Sequence, residues 1–174
     1  MNKVLNILAS SMLLLISLLG TNNSHAQFVP PGIEPIELEQ VANNLYAFRW
    51  GAYRSMFIVS NEGVIVTDPL SVKAAAAYRE AIRSVTDLPV THVVYSHCHW
   101  DHAPGGQIFK DEGAVVIAQE GCIANLEMSP NPDIVPPDIT FAKTYSVKSG
   151  NEQLELYYFG PSHDTCLIVM VSPS

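Results

Sequence analysis

Three imidazoles and one carboxylate fall within the six residues His97-Cys98-His99-Trp100-Asp101-His102, and no other stretch limits so sharply what this chain can become. The hexad follows Val93-Val94-Tyr95-Ser96, an apolar run that reads as the end of a buried strand over residues 90–96. Side chains alternate along an extended backbone, so His97 and His99 point one way and Cys98 the other, with Asp101 and His102 on the turn beyond. Crowded imidazoles gain little from one another unless a cation binds them. Imidazole nitrogens and carboxylate oxygens hold zinc and similar divalent ions at about 2.0–2.2 Å. The hexad therefore predicts a metal loop at the carboxyl end of a strand.

The surrounding pattern supplies a scaffold for such a loop. Residues 27–39 carry Pro30, Pro31 and Pro35 and read as an extended lead-in. Short apolar runs at 45–50, 55–60 and 64–67 read as strands, the last two joined by the turn residues Asn61-Glu62-Gly63. Asp68-Pro69 ends the third run and Ser71 is a helix N-cap residue. Val72, Ala75, Tyr78, Ile82 and Val85 then recur at helical spacing, with Lys73, Arg79, Glu80 and Arg83 placed elsewhere on the wheel. Residues 64–96 thus form a strand, helix, strand unit. Ligands in such sheets bind beyond the carboxyl ends of the strands, which brings Asp68 to the same place as the hexad.

Beyond the hexad, Gly105-Gly106 opens a short helix to about Lys110, followed by a strand at 114–118 and a helix over 119–128. Residues 129–138 hold Pro130, Pro132, Pro136 and Pro137, which excludes regular structure and predicts a surface loop that can wall a pocket. Strands at 139–147, 153–159 and 166–171 follow, with a turn at Ser149-Gly150-Asn151 and a loop at 160–165. His163 sits on that loop. An isolated loop histidine is ordinarily only exposed, but with His97 and His99 awaiting a partner it becomes a third ligand, giving the open, catalytic type of zinc site. His92, at a strand start, reads as structural.

The first 26 residues read as a signal peptide: Lys3, an apolar run over residues 4–19, and Ser24-His25-Ala26 with small residues where a signal peptidase cuts. The alternative is a retained anchor, for which the run is short. Cleavage after Ala26 leaves a domain over 27–174 that is periplasmic or secreted, with no membrane attachment. Export implies an oxidising compartment. Cys98, Cys122 and Cys166 are odd in number and widely spaced, so they make no disulfide framework, although one bridge is open to them. Cys98 and Cys166 each neighbour a ligand candidate, and a buried thiol is favoured over a thiolate ligand for both. The net charge of −8, without a basic cluster, argues against nucleic acid and anionic membranes as partners and leaves a small-molecule substrate.

Asp68, the hexad followed by Gly105-Gly106, and His163 together resemble the first three motifs of the metallo-β-lactamase superfamily, over about residues 45–171. That resemblance implies an α/β fold of α+β type, a four-layer αββα sandwich with one or two metals, usually zinc, at one edge of its two sheets. It implies that His97, His99 and His163 hold the first metal, that Asp101 and His102 belong to the second, and that Asp68 supports the loop. The family pattern continues with a bridging aspartate and a further histidine. Here no aspartate follows Asp164 and no histidine follows His163. The expectation is therefore the N-terminal part of the sandwich with its second half incomplete, as a truncated enzyme, a fragment, or a chain completed by another.

Two functions of different class follow. In the first, the chain is a zinc-dependent hydrolase acting on an ester, lactam, lactone, thioester or sulfate-type bond. Asp101 then orients or deprotonates the nucleophile in a one-metal form, or ligates the second metal in a two-metal form. In the second, the chain is a metal-binding remnant without turnover. A mononuclear iron oxidoreductase is a further alternative, since some relatives of the family pair iron with oxygen.

Overall fold

A computed structural model describes residues 35–173; the expected signal peptide, with its anchor alternative, lies outside the described residues. Among these residues, ten strands form two sheets. The larger contains β1 (Ile36–Gln40), β2 (Leu45–Trp50), β3 (Tyr53–Val59), β4 (Val64–Thr67), β5 (Val90–Val94), β6 (Val115–Gln119) and β7 (Ile139–Phe141) in sequence order. The smaller runs β10 (Val169–Val171), β9 (Glu152–Tyr157), β8 (Thr144–Ser149). Strands β1 to β4 pair antiparallel through hairpins, whereas β4 to β7 pair parallel. Parallel neighbours require crossover connections, supplied by α1 (Val72–Arg83) between β4 and β5, α2 (Gln107–Lys110) between β5 and β6, and α3 (Gly121–Met128) between β6 and β7.

The two faces of the large sheet bury different things. One packs Phe57, Val64, Val66, Val93 and Val116 against Ala75, Tyr78 and Ile82 of α1 and Phe109 of α2. The other packs Ile58, Ile65, Val94 and Ile117 against Val147, Leu154 and Leu156 of the small sheet. Central strands buried on both faces read as continuous apolar runs, as 64–66 and 93–94 do. Helix, sheet and sheet are thus three of the four layers expected, among the described residues.

The chain departs from the sequence expectation at five places, the smallest being the strand expected over 166–171, which begins only at Val169. Residues 36–40 form a strand on β2, where an extended lead-in was expected. Val72 is exposed and Arg79 buried, because Arg79 lies one turn beyond Ala75 and finds Glu112, its Nε lying 2.8 and 2.9 Å from the two carboxylate oxygens. The single strand expected over 139–147 is two strands in different sheets, broken at Ala142-Lys143. The proline-rich loop turns inward: Ile134 and Val135 join the helix-side core, and the Val135 carbonyl accepts from the Tyr95 hydroxyl at 3.0 Å.

Ser71 caps α1 as expected, its Oγ accepting from the Ala74 amide at 3.0 Å. The segment before it is strained. Asp68 and Leu70 adopt positive φ, +22° and +72°, at the end of β4. The Leu70 amide donates to the His102 carbonyl at 2.8 Å, which ties this segment to the hexad. Gly105 completes the tie: at φ +97° it lies so close to Ser71 that an added Cβ would sit 2.4 Å from the Ser71 carbonyl oxygen.

Candidate metal centre

β5 ends at Val94, and the chain runs through Tyr95 and Ser96 into the hexad at the edge where β4 also ends. Asp68, at the end of β4, organises the junction. Its Oδ1 accepts from the Ser96 amide at 2.7 Å, and its Oδ2 accepts from Ser96 Oγ at 2.5 Å and His102 Nδ1 at 3.3 Å. Because Ser96 Oγ gives its proton to Asp68, it accepts one from His97 Nδ1 at 2.9 Å. That leaves the lone pair of His97 on Nε2, an atom that is buried without a hydrogen-bond partner among the described residues. A buried acceptor without a partner is costly unless a cation meets it.

The imidazoles of His97, His99 and His163 converge on this point. His97 and His99 have ring centroids 4.5 Å apart, His97 and His163 5.3 Å, and His99 and His163 4.9 Å, and one nitrogen from each lies within 4.8 Å of the others. Burial grades across the three: His97 is 3% exposed, His99 is half-buried and His163 is open to solvent. Burial foremost, with the neighbouring His102, pushes the His97 pKa down to about 4, so its ring is neutral and able to donate a lone pair at neutral pH. The donor set, the ungrouped Nε2 and the open side fit a divalent metal with an accessible coordination position.

His102 lies beside the triad, its ring 4.4 Å from that of His97 and edge-on to Tyr53. Its burial alone would lower its pKa, but the hydrogen bond to Asp68 and the charges of Asp68 and Asp101 outweigh this and raise it. Asp101 Oδ2 is 3.9 Å from His102 Nε2. The sequence-derived residues Asp68, His97, His99, Asp101, His102 and His163 are thus brought to one sheet edge. His92 stays apart in β5, half-buried, with Nδ1 3.0 Å from Thr91 Oγ1.

Two residues at the site were not singled out from sequence. Ser96 joins Asp68 to His97, and its place directly before the hexad was the available signal. Asp164 follows His163 and places Oδ2 3.8 Å from His99 Nε2, while its Oδ1 accepts from Asn125 Nδ2 at 2.9 Å. Next to the site, a cavity of about 220 Å³ opens between the two sheets, lined by Ile58, Ile65, Leu154 and Met170 with Asp68 and Ser96 at its end. The proline-rich loop does not line it.

The sequence pattern of the metallo-beta-lactamase superfamily matches residues 49–173. The 2,4-dinitroanisole O-demethylase subunit alpha of Nocardioides sp. (strain JS1661) is 28% identical over 141 residues, covering 78% of this chain and 43% of that protein. Among solved structures, a subclass B3 metallo-beta-lactamase of Bradyrhizobium japonicum superposes with a TM-score of 0.71 at 20% identity, over 85% of this chain and 59% of that one. The stereoselective inverting sec-alkylsulfatase of Pseudomonas sp. superposes with a TM-score of 0.67 at 18% identity, over 79% of this chain and 30% of that one. These structural likenesses show a shared fold. The chain spans less than half the length of the curated relative it matches.

Proposed function

The chain belongs to the metallo-beta-lactamase superfamily, and from that premise we propose that it is a zinc-dependent hydrolase of small molecules, exported to the periplasm or beyond. The observation that carries the proposal is the buried, partnerless His97 Nε2 among the imidazoles of His99 and His163. His97, His99 and His163 would hold the ion, and Asp101 and His102, adjacent at the same edge, would serve a second one. Zinc in that position supplies Lewis acidity toward an ester, lactam, lactone, thioester or sulfate-type bond and acidifies water near neutral pH. Asp68 and Ser96 hold His97 in the tautomer that presents Nε2, and Asp68 fixes the His102 ring from its other side. Asp101, partly exposed beside them, would orient or deprotonate the attacking nucleophile in a one-metal form, or ligate the second metal in a two-metal form.

A second reading is cleavage of an aryl ether. The curated relative is, by its name, an O-demethylase of 2,4-dinitroanisole. Trp100 and Phe159, 73% and 80% exposed, adjoin the ligand-bearing loops and offer flat apolar surface to an aryl group.

The test is metal analysis of protein purified without added zinc, beside a panel of chromogenic esters, lactams, lactones, thioesters, sulfates and nitroaryl methyl ethers. The expected result is stoichiometric zinc that His97→Ala and His99→Ala abolish, and turnover that Asp101→Asn abolishes. A folded chain that binds zinc yet turns over nothing would instead be the metal-binding remnant of a longer enzyme, and bound iron would favour oxidoreductase chemistry.

A further inference from the structure

The alternation that sends His97 and His99 into the metal site sends Cys98 out of its back, and there it meets two other cysteines. Cys122, in the first turn of α3, and Cys166, three residues past His163, are fully buried beside it, and Cys98 is 8% exposed. The three sulfurs lie within 4.8 Å of one another. Cys122 is central: its Cα is 5.7 Å from that of Cys98 and 5.5 Å from that of Cys166, and both spans suit a disulfide without backbone movement. Gly121 permits the second approach, since a Cβ there would stand 3.3 Å from the Cys166 Cβ. One sulfur forms one disulfide, so the three cysteines can hold at most one bridge and leave one thiol.

We propose that these residues form a single exchangeable disulfide pivoting on Cys122, which ties α3 either to the hexad through Cys98 or to the His163 loop through Cys166. The first bridge forms by oxidation of two thiols by a small-molecule disulfide, which takes up two electrons and two protons as it is reduced to thiols. Exchange needs no further oxidant. The Cys166 thiolate attacks Cys122 Sγ, the Cys98–Cys122 bond breaks as the Cys122–Cys166 bond forms, and the proton lost by Cys166 ends on Cys98. Asp164 Oδ2, accepting from Cys166 Sγ at 3.4 Å, and Asn125 Nδ2, 3.7 Å from that sulfur, hold Cys166 in place for this attack. Each state tethers one ligand-bearing loop and releases the other, so the imidazole site has two backings. This inference stands apart from the hydrolase reading, because it concerns only sulfur connectivity.

Lys110, Lys143 and Lys148 place the three cysteines on different tryptic peptides, which makes the connectivity readable. The folded chain is equilibrated with oxidised glutathione, quenched in acid, alkylated at its free thiol and mapped without reduction by mass spectrometry. The expected result is one free thiol per chain and both cross-links, Cys98–Cys122 and Cys122–Cys166, with populations within about tenfold of each other. Cys98→Ser should leave only the second and Cys166→Ser only the first, in chains whose circular dichroism matches the wild type. The wild-type map decides the matter even where a variant fails to fold. A single cross-link in the wild type, three free thiols after oxidation, or three thiols shielded from alkylation by a bound thiophilic metal would each overturn the proposal.

Discussion

Replacing His97 by asparagine should remove a specific part of the acid sensitivity of the metal-free chain. His97 is 3% exposed, and burial first, then the charges of His102 and His99, hold its pKa down at about 4 against the opposing pull of Asp68 and Asp164. In the unfolded chain the ring titrates near its ordinary 6.5. Between those values the unfolded state binds more protons than the folded one. Stability from this group is therefore complete above pH 6.5 and is lost as the pH falls toward 4. At about 1.36 kcal/mol per pH unit, the loss between about pH 7.5 and about pH 4.5 comes to about 2.5 kcal/mol. Asparagine does not titrate and is neutral, as His97 is in the folded chain across most of this window, so the charges felt by other groups change little. Its amide can also keep the hydrogen bond to Ser96 Oγ. The raised pKa of His102 works in the opposite sense, stabilising at low pH, but it is common to both proteins and cancels. Urea unfolding in the presence of chelator, repeated over this pH range, reads the difference directly. The stability of wild type minus variant should fall by about 2.5 kcal/mol from the neutral to the acid end, and curves that stay parallel within about 0.5 kcal/mol would refute the argument.

Three further outcomes follow from other contacts. Glu112→Gln strips Arg79 of its main anionic partner in a site where the arginine side chain is 6% exposed, and should cost about 2–3 kcal/mol in urea unfolding; Arg79→Met, which removes the charge itself, should stay within about 1 kcal/mol of wild type. Gly105→Ala forces a side chain into the Ser71 carbonyl at φ +97°, and should lower stability by at least about 2 kcal/mol and weaken zinc retention by displacing the hexad. Asp68→Asn leaves one side-chain acceptor where the carboxylate serves Ser96 and His102, and should weaken zinc affinity about 10–100-fold in chelator competition while keeping the triad itself intact.

What was legible in the sequence was local. The strands at 45–50 and 64–67, the Asn61-Glu62-Gly63 turn and the Ser71 cap depend on neighbours a few residues away, and the structure has them. β1 escaped because it is an edge strand with its residues largely exposed, so no alternation of polarity marks it, and prolines precede it. The break at Ala142-Lys143 has neither glycine nor proline to announce it. It exists because Ile139–Phe141 pairs with β6 while Thr144 pairs with Tyr157 of the other sheet. The charge of Arg79 sets it apart from the apolar stripe, although its spacing from Ala75 puts it on the buried face; the deciding partner, Glu112, lies 33 residues away. The same division runs through the site. His97 and His99 are legible by spacing, His163 only by the chemistry of an incomplete ligand set, and the meeting of Cys98, Cys122 and Cys166 across separations of 24 and 44 residues not at all.

The graded burial of the triad divides the site into a fixed part and an adjustable one. His97 is set by a chain of hydrogen bonds through Ser96 to Asp68, and the hexad is joined to the start of α1 by the Leu70–His102 bond and by the contact of Gly105 with Ser71. All of this belongs to the strand, helix, strand unit of β4, α1 and β5 and the loop that follows it, which pack on an apolar core. His163 comes instead from the connection between β9 and β10 of the small sheet, and it is solvent-exposed. Its loop is anchored one residue later, where Asp164 accepts from Asn125 of α3 and Thr165 Oγ1 donates to Asn125 Oδ1 at 3.0 Å. On the proposed reading, capture of an ion would close one exposed imidazole onto a pair that the large sheet has already positioned. The conformational cost of that binding would then fall on the 160–165 loop, which α3 holds through Asn125.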